Sequence, residues 1–217
     1  MTPVPKLSQG LLLTALAGFI DAIGFIELGG YYTSFMSGNT TQLGNALLGS
    51  PASAALLPLG LLLLFFAGST VGSLLSLASE HYGSALVAGL LFVSTASAIA
   101  LHLAGVSATL AMGPLAFGAG AQNALLLPAG SVRLGATFVT GTLFAAGQDL
   151  AKALRNLAPG WRWTQHLLVW LSLLLGAALG AASYHRWGLM VLLGPALIHA
   201  VFGLALALRP IKPSPQA

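Results

Sequence analysis

Apolar residues run along this chain in long blocks separated by short polar punctuation. Six blocks, at 8–28, 54–78, 84–104, 107–127, 164–183 and 188–208, each approach the ~20 residues a helix needs to cross a bilayer. The separators are brief: Glu80-His81-Tyr82-Gly83, Gly105, and Tyr184-His185-Arg186-Trp187. Apolar character near the N-terminus continues to Leu28, too far for the short core of a cleaved leader, so the first block predicts a retained span. After Leu208 the sequence RPIKPSPQA is Pro-rich and charged, and residues 209–217 predict a disordered tail.

Two segments break the pattern. Residues 33–49 contain FMSGNTTQLGN, in which Ser, Thr and amide side chains crowd together, and residues 134–157 read LGATFVTGTLFAAGQDLAKALRNL. At the centre of a span, Leu, Ile, Phe or Val contributes about −0.3 to −0.6 kcal/mol and Asp costs about +2.5 to +3.5. The first block holds enough Leu, Ile and Phe to carry Asp21 and still insert. Segment 33–49 sets only Phe35, Leu43, Leu47 and Leu48 against Asn39, Gln42 and Asn45, so it must be shielded by protein or line a wet cavity. Both segments are long enough to cross. The expectation is an all-α, polytopic transmembrane bundle of eight helices, six strongly apolar and two polar and Gly-rich.

Composition sharpens this. The 217 residues are 57% hydrophobic and only 6% charged, with a mean hydropathy of +0.90. A soluble domain needs about a quarter charged residues to cover its surface, so lipid must be the solvent for most of the exterior. The net charge of +4 comes from eight Lys and Arg residues with no basic cluster, which argues against nucleic acid and for topology signals at helix ends. With no cysteine there is no disulfide or thiolate chemistry. With eight crossings, Lys6, Lys152, Arg155, Arg162, Arg209 and Lys212 share one face against Arg133 and Arg186. If both polar segments re-enter instead, Arg186 stands alone. Either arrangement places both termini in the cytoplasm, in a bacterial inner membrane.

The chain also repeats itself. Ala17-Gly18-Phe19-Ile20-Asp21-Ala22 resembles Ala119-Gly120-Ala121-Gln122-Asn123-Ala124, and Phe35-Met36-Ser37-Gly38-Asn39 resembles Phe138-Val139-Thr140-Gly141-Thr142. Gly44 and Leu47 then match Gly147 and Leu150. The implied halves are 1–105 and 106–208. They are parallel copies if each holds four spans, and inverted copies if each holds three spans and a re-entrant segment. Duplicated halves with unusual Gly-interrupted segments at matching positions point to a transporter site.

The elements GFIDAIGF, FMSGNTTQLG and AGAQNA…TFVTGTLFAAG resemble the YoaK-like family of small bacterial membrane proteins, with G-x-x-D-A in the first span and [T/S]-G-N soon after it. Ser37 stands where that family often has Thr, which preserves the hydroxyl. The resemblance implies location and architecture and supplies no mechanism.

Asp21, at mid-span, is expected to face the bundle interior. With Asn39, Gln42, Asn45, Asn123 and Thr140 it forms the candidate substrate or ion site, while Gly18, Gly38, Gly44, Gly120, Gly141 and Gly147 are candidates for close helix packing. Asp149 and Lys152 read as a surface i,i+3 pair, Glu27 as an interfacial group, and Trp161, Trp163, Tyr184 and Trp187 as aromatic-belt anchors. His102, His166 and His199 show no metal-binding spacing, so no metal or cofactor is expected. No nucleophile–base pair suggests an enzyme. The leading expectation is a small-solute transporter or permease whose two halves enclose a polar midplane site. A non-transporting scaffold or accessory subunit is the alternative. The expected partners are the bilayer and an unidentified small solute, with a homodimer left open.

Overall fold

The computed structural model describes residues 4–49, 51–125 and 139–210. Arg133, Phe138, the start of segment 134–157 and most of the predicted disordered tail lie outside them. No strand occurs among the described residues. The helices are α1 (Val4–Glu27), α2 (Met36–Leu48), α3 (Leu56–Ala78), α4 (Gly83–Leu103), α5 (Ala108–Ala111), α6 (Gly113–Gln122), α7 (Val139–Leu154), α8 (Arg162–Trp187) and α9 (Leu193–Ala207). Short 3-10 turns precede α3 and α9 and follow α6. Among the described residues, four continuous helical stretches are long and apolar enough to cross a membrane: Lys6–Glu27, Ala52–Ala78, Gly83–Leu103 and Arg162–Ala207. Leu63, Phe66, Leu74 and Leu77 of α3 are exposed, as expected where lipid replaces water.

Side-chain and backbone contacts fix the direction of each helix. Ala15 meets Gly176, Gly18 meets Leu173 and Ala177, and Phe19 meets Gly180, so α1 and α8 run parallel. In the same way Gly68 meets Phe117, Gly120 meets Phe65 and Ser69, and Gly72 meets Ala121, so α3 and α6 run parallel. By contrast α6 runs against α1. Its last residue, Gln122, donates to the Leu13 carbonyl at 2.7 Å, while Met112 and Leu115 at its other end join Ile20, Ile23 and Leu28 in the core. The helices α4 and α9 are likewise antiparallel, because His199 meets Thr95 whereas Gly203 meets Ala85 and Ala88. Among the described residues six passes result: α1, α4 and α8 ascend from the face holding the N-terminus, and α3, α5–α6 and α9 descend.

This corrects the expectation that all eight segments cross. Thirteen residues give α2 a length of about 20 Å, against a hydrocarbon core of about 30 Å. After α1, Gly29 and Gly30 adopt positive φ values of 65° and 106°, a reversal that side chains resist. The chain then descends beside α1 until Thr33 and Ser34 reach the depth of Asp21. From there α2 climbs back, since Gln42 donates to the carbonyl of Gly30. It therefore starts at mid-depth and ends on the face it came from. The second polar helix does the converse. Thr140 of α7 lies beside the middle of α8, and Asp149 lies beside Arg162 and His166 at the start of α8. Polar sequence explains the behaviour: neither segment has the apolar side chains to face lipid along a full crossing.

The helix-packing glycines also need correction. Gly18 and Gly120 do pack, since a methyl group on either would collide with a carbonyl oxygen, that of Leu173 or Phe65. Gly44, Gly141 and Gly147 have open space where a side chain would stand, and Gly38 faces the rings of Phe35 and Tyr32 rather than another helix. The tight seams instead use Gly68 and Gly72 of α3 and Gly176 and Gly180 of α8.

Candidate solute-binding site

Asp21 is the hub. Its Oδ1 accepts from the Thr33 backbone N–H at 2.8 Å, the Thr33 hydroxyl at 3.0 Å and the Ser34 N–H at 2.7 Å. These bonds hold the bottom of the re-entrant loop against α1 six residues before its C-terminal end and cap backbone donors that lipid could not satisfy. The Ser34 hydroxyl also lies close to the carboxyl. Oδ2 keeps spare acceptor capacity.

Asn39, fully buried, clamps the same loop. Its Oδ1 accepts from the Tyr32 N–H at 3.0 Å, and its Nδ2 donates to the Tyr32 carbonyl at 2.7 Å. Gln42 adds a longer bond of 3.3 Å to the Gly30 carbonyl. Two of the three amides in α2 are therefore braces for the loop that carries Tyr32, Thr33 and Ser34.

Beside this loop lies a cavity of about 530 Å³. Its walls are Gly18, Asp21, Ala22, Phe25 and Ile26 of α1, together with Tyr32, Ser34 and Phe35 from the re-entrant loop. The start of α7 adds Val139, Thr140 and Leu143, and α8 adds Trp170, Leu173, Ala177 and Ala181. The size falls within the range of small-molecule sites, and the mix of apolar walls with few polar groups is typical of them. Phe25 and Tyr32 sit with ring centroids 5.0 Å apart, and Tyr32 meets Phe35 edge-on at 5.1 Å.

Of the six candidate site residues, the fold brings Asp21 and Thr140 to this cavity. Asn39 and Gln42 support it from behind. Asn45, three residues beyond Gln42 on α2, is exposed. The side chain of Asn123 bonds back to the carbonyls of Ala119 and Gly120 at the end of α6, away from the cavity. A second void of about 20 Å³, room for roughly one water, lies between α1, α4, α6 and α9. Ser94, Thr95, Gln122 and the buried His199 line it.

The chain matches the family model described as "Protein of unknown function (DUF1275)" over residues 9–205. The chain belongs to the DUF1275 family. That assignment agrees with the YoaK-like motifs around Asp21 and Asn39 and makes the chain an integral membrane protein. It is 36% identical over 197 residues to the UPF0700 transmembrane protein RA0705 of Rhizobium meliloti (strain 1021), covering 88% of this chain and 83% of that protein. No solved structure matches.

Sequence reasoning missed four features of this DUF1275 member. Trp170 carried a usable signal, since an indole at mid-span rather than in an interfacial belt asks for a reason. The seams carried one too, in the small-xxx-small pairs GSTVG (68–72) and GAALG (176–180). Asp149 read as a surface ion pair but is buried. The Arg162 Nε lies 2.9 Å from its Oδ2, His166 at 3.5 Å, and Lys152 only at 3.8 Å from Oδ1. The Arg162 Nε makes no aligned hydrogen bond, so the contact is chiefly Coulombic. Glu27 is likewise more than interfacial, because it accepts a hydrogen bond from the Tyr184 hydroxyl that ties α1 to α8. The second link joins residues 157 positions apart.

Proposed function

We propose that this DUF1275 protein is a small-solute carrier, built from two inverted repeats and binding its solute in the cavity beside Asp21. The observation that carries the reading is the placement of a carboxylate with free acceptor capacity in a roomy cavity at the depth where two re-entrant helices begin. Intramembrane ionisable residues usually mark solute or ion pathways, and carrier sites lie where interrupted helices of two repeats meet.

The packing supports inverted halves. Gly18 against Leu173 and Ala177 corresponds to Gly120 against Phe65 and Ser69, and Gly176 and Gly180 against α1 correspond to Gly68 and Gly72 against α6. Because α1 opposes α6 and α4 opposes α9, the copies relate by an axis in the membrane plane. Of the described basic residues, Lys6, Lys152, Arg155, Arg162 and Arg209 lie at the N-terminal face and Arg186 opposite, which supports termini in the cytoplasm of a bacterial inner membrane.

A scaffold is the rival reading, favoured by the structural bonds of Asn39 and Gln42 but leaving the cavity without a role. Accessibility of Thr140→Cys in oriented vesicles separates the two, since the chain has no other cysteine. A carrier exposes this position to a membrane-impermeant thiol reagent from each face in turn. Reaction from one face only, under every solute condition, would sink alternating access.

A further inference from the structure

We propose that the cavity beside Asp21 selects organic monocations: ammonium compounds with alkyl or aryl substituents. The inference names the ligand class of the carrier site put forward above and rests on that reading. Its ground is the company the carboxylate keeps. Among the described lining residues none is Lys, Arg or His, so no side-chain cation in the wall balances Asp21. Three donors crowd onto Oδ1 and the Ser34 hydroxyl lies close to the carboxyl, and with about four lone-pair sites the group still has capacity for a new partner at Oδ2.

The wall of the same cavity is aromatic. Phe25, Tyr32 and Phe35 form a contiguous set of rings, and Trp170 contributes an indole from α8. Aromatic faces attract cations through the ring quadrupole, and more strongly when water is excluded. A carboxylate combined with several rings therefore favours a large, weakly hydrated cation. An anion would meet Asp21 with no basic residue in the described wall to offset the repulsion. Among the described lining residues a sugar-like solute would find Ser34, Thr140, the Tyr32 hydroxyl, the Trp170 indole N–H and Asp21 as its side-chain hydrogen-bond partners, too few for its hydroxyl groups. A bare metal ion would leave most of the 530 Å³ unused and would find one carboxylate where several oxygens are needed.

The test is calorimetric titration of the full-length protein in maltoside micelles, which avoids the quaternary ammonium of choline lipids. The probes are benzyltrimethylammonium, choline and the uncharged choline isostere 3,3-dimethylbutan-1-ol. Saturable binding of the cations is expected, with the isostere at least about tenfold weaker than choline. Asp21→Asn keeps an oxygen for the Thr33 and Ser34 donors, so it should fold, and it should erase the preference for charge. Trp170→Leu should weaken benzyltrimethylammonium by about fivefold while moving the isostere less. No cation binding up to millimolar concentration, equal binding of choline and isostere, or an unchanged preference in well-folded Asp21→Asn each overturns the proposal. Proteoliposome flux separates its fate from that of the carrier reading. Cations that bind without being moved sink the carrier and leave the ligand class standing. Saturable flux of an uncharged or anionic solute that the cations do not inhibit does the reverse.

Discussion

Replacing Asn39 with Ala should be among the most damaging changes of a polar residue in this protein. The side chain is fully buried and makes two bonds to one residue, at 3.0 Å from the Tyr32 N–H and 2.7 Å to the Tyr32 carbonyl. Each bond contributes about 1 kcal/mol net, and each backbone group left without a partner away from water costs about 1–3 kcal/mol. Two such groups give about 2–6 kcal/mol, and because Tyr32 is only half-buried the total falls in the lower part of that span, about 3 kcal/mol. For a chain of this size, 1 kcal/mol moves the midpoint by about 2–4 °C, so Asn39→Ala should melt about 6–12 °C below wild type. Asn39→Asp should fare no better, because its second oxygen would oppose the Tyr32 carbonyl in place of a donor. Gln42→Ala is the internal control. It loses one half-buried bond of 3.3 Å, and its cost should stay below about 1 kcal/mol. The assay is a thermal melt of purified protein in detergent, read by intrinsic fluorescence. An Asn39→Ala midpoint within about 2 °C of wild type, or a larger loss for Gln42→Ala, would refute the claim that this amide anchors the re-entrant loop.

The remaining predictions follow from topology and packing. In a chain without native cysteine, Leu48→Cys should react with impermeant thiol reagent on the same face as Arg186→Cys and opposite Arg155→Cys; labelling alongside Arg155→Cys would restore a crossing α2. Gly176→Leu and Gly120→Leu should abolish folding or yield, because each drives a side chain into a facing carbonyl, whereas Gly141→Ala and Gly147→Ala should melt within about 1 kcal/mol of wild type or above it. Equal tolerance at both sets would refute the seams. Asp149→Asn should destabilise by roughly 1–3 kcal/mol in a melt, since it strips a buried carboxylate from Arg162, a partner itself 40% exposed. No change in the midpoint would mean that the α7–α8 contact stands without it.

The sequence by itself determined the solvent of this protein, five long apolar helices close to where they fold, and the polar character of two segments. Hydrophobicity is summed along the chain, so those features need no knowledge of neighbours. It also singled out Asp21, because a carboxylate at mid-span is anomalous wherever its partners lie. Tertiary structure alone decided the direction of α2 and α7. Their length allowed either path, and the choice rests on bonds such as Asp21 to Ser34 and Gln42 to Gly30, with the reversal at Gly29 and Gly30. Only structure separated Asn39, a brace, from the exposed Asn45 on the same helix. It also set Trp170 in the same cavity wall as Asp21, 149 positions earlier in the sequence. A side chain's role depends on which groups the fold sets against it, and pairings between distant helices leave no periodic trace along a single chain.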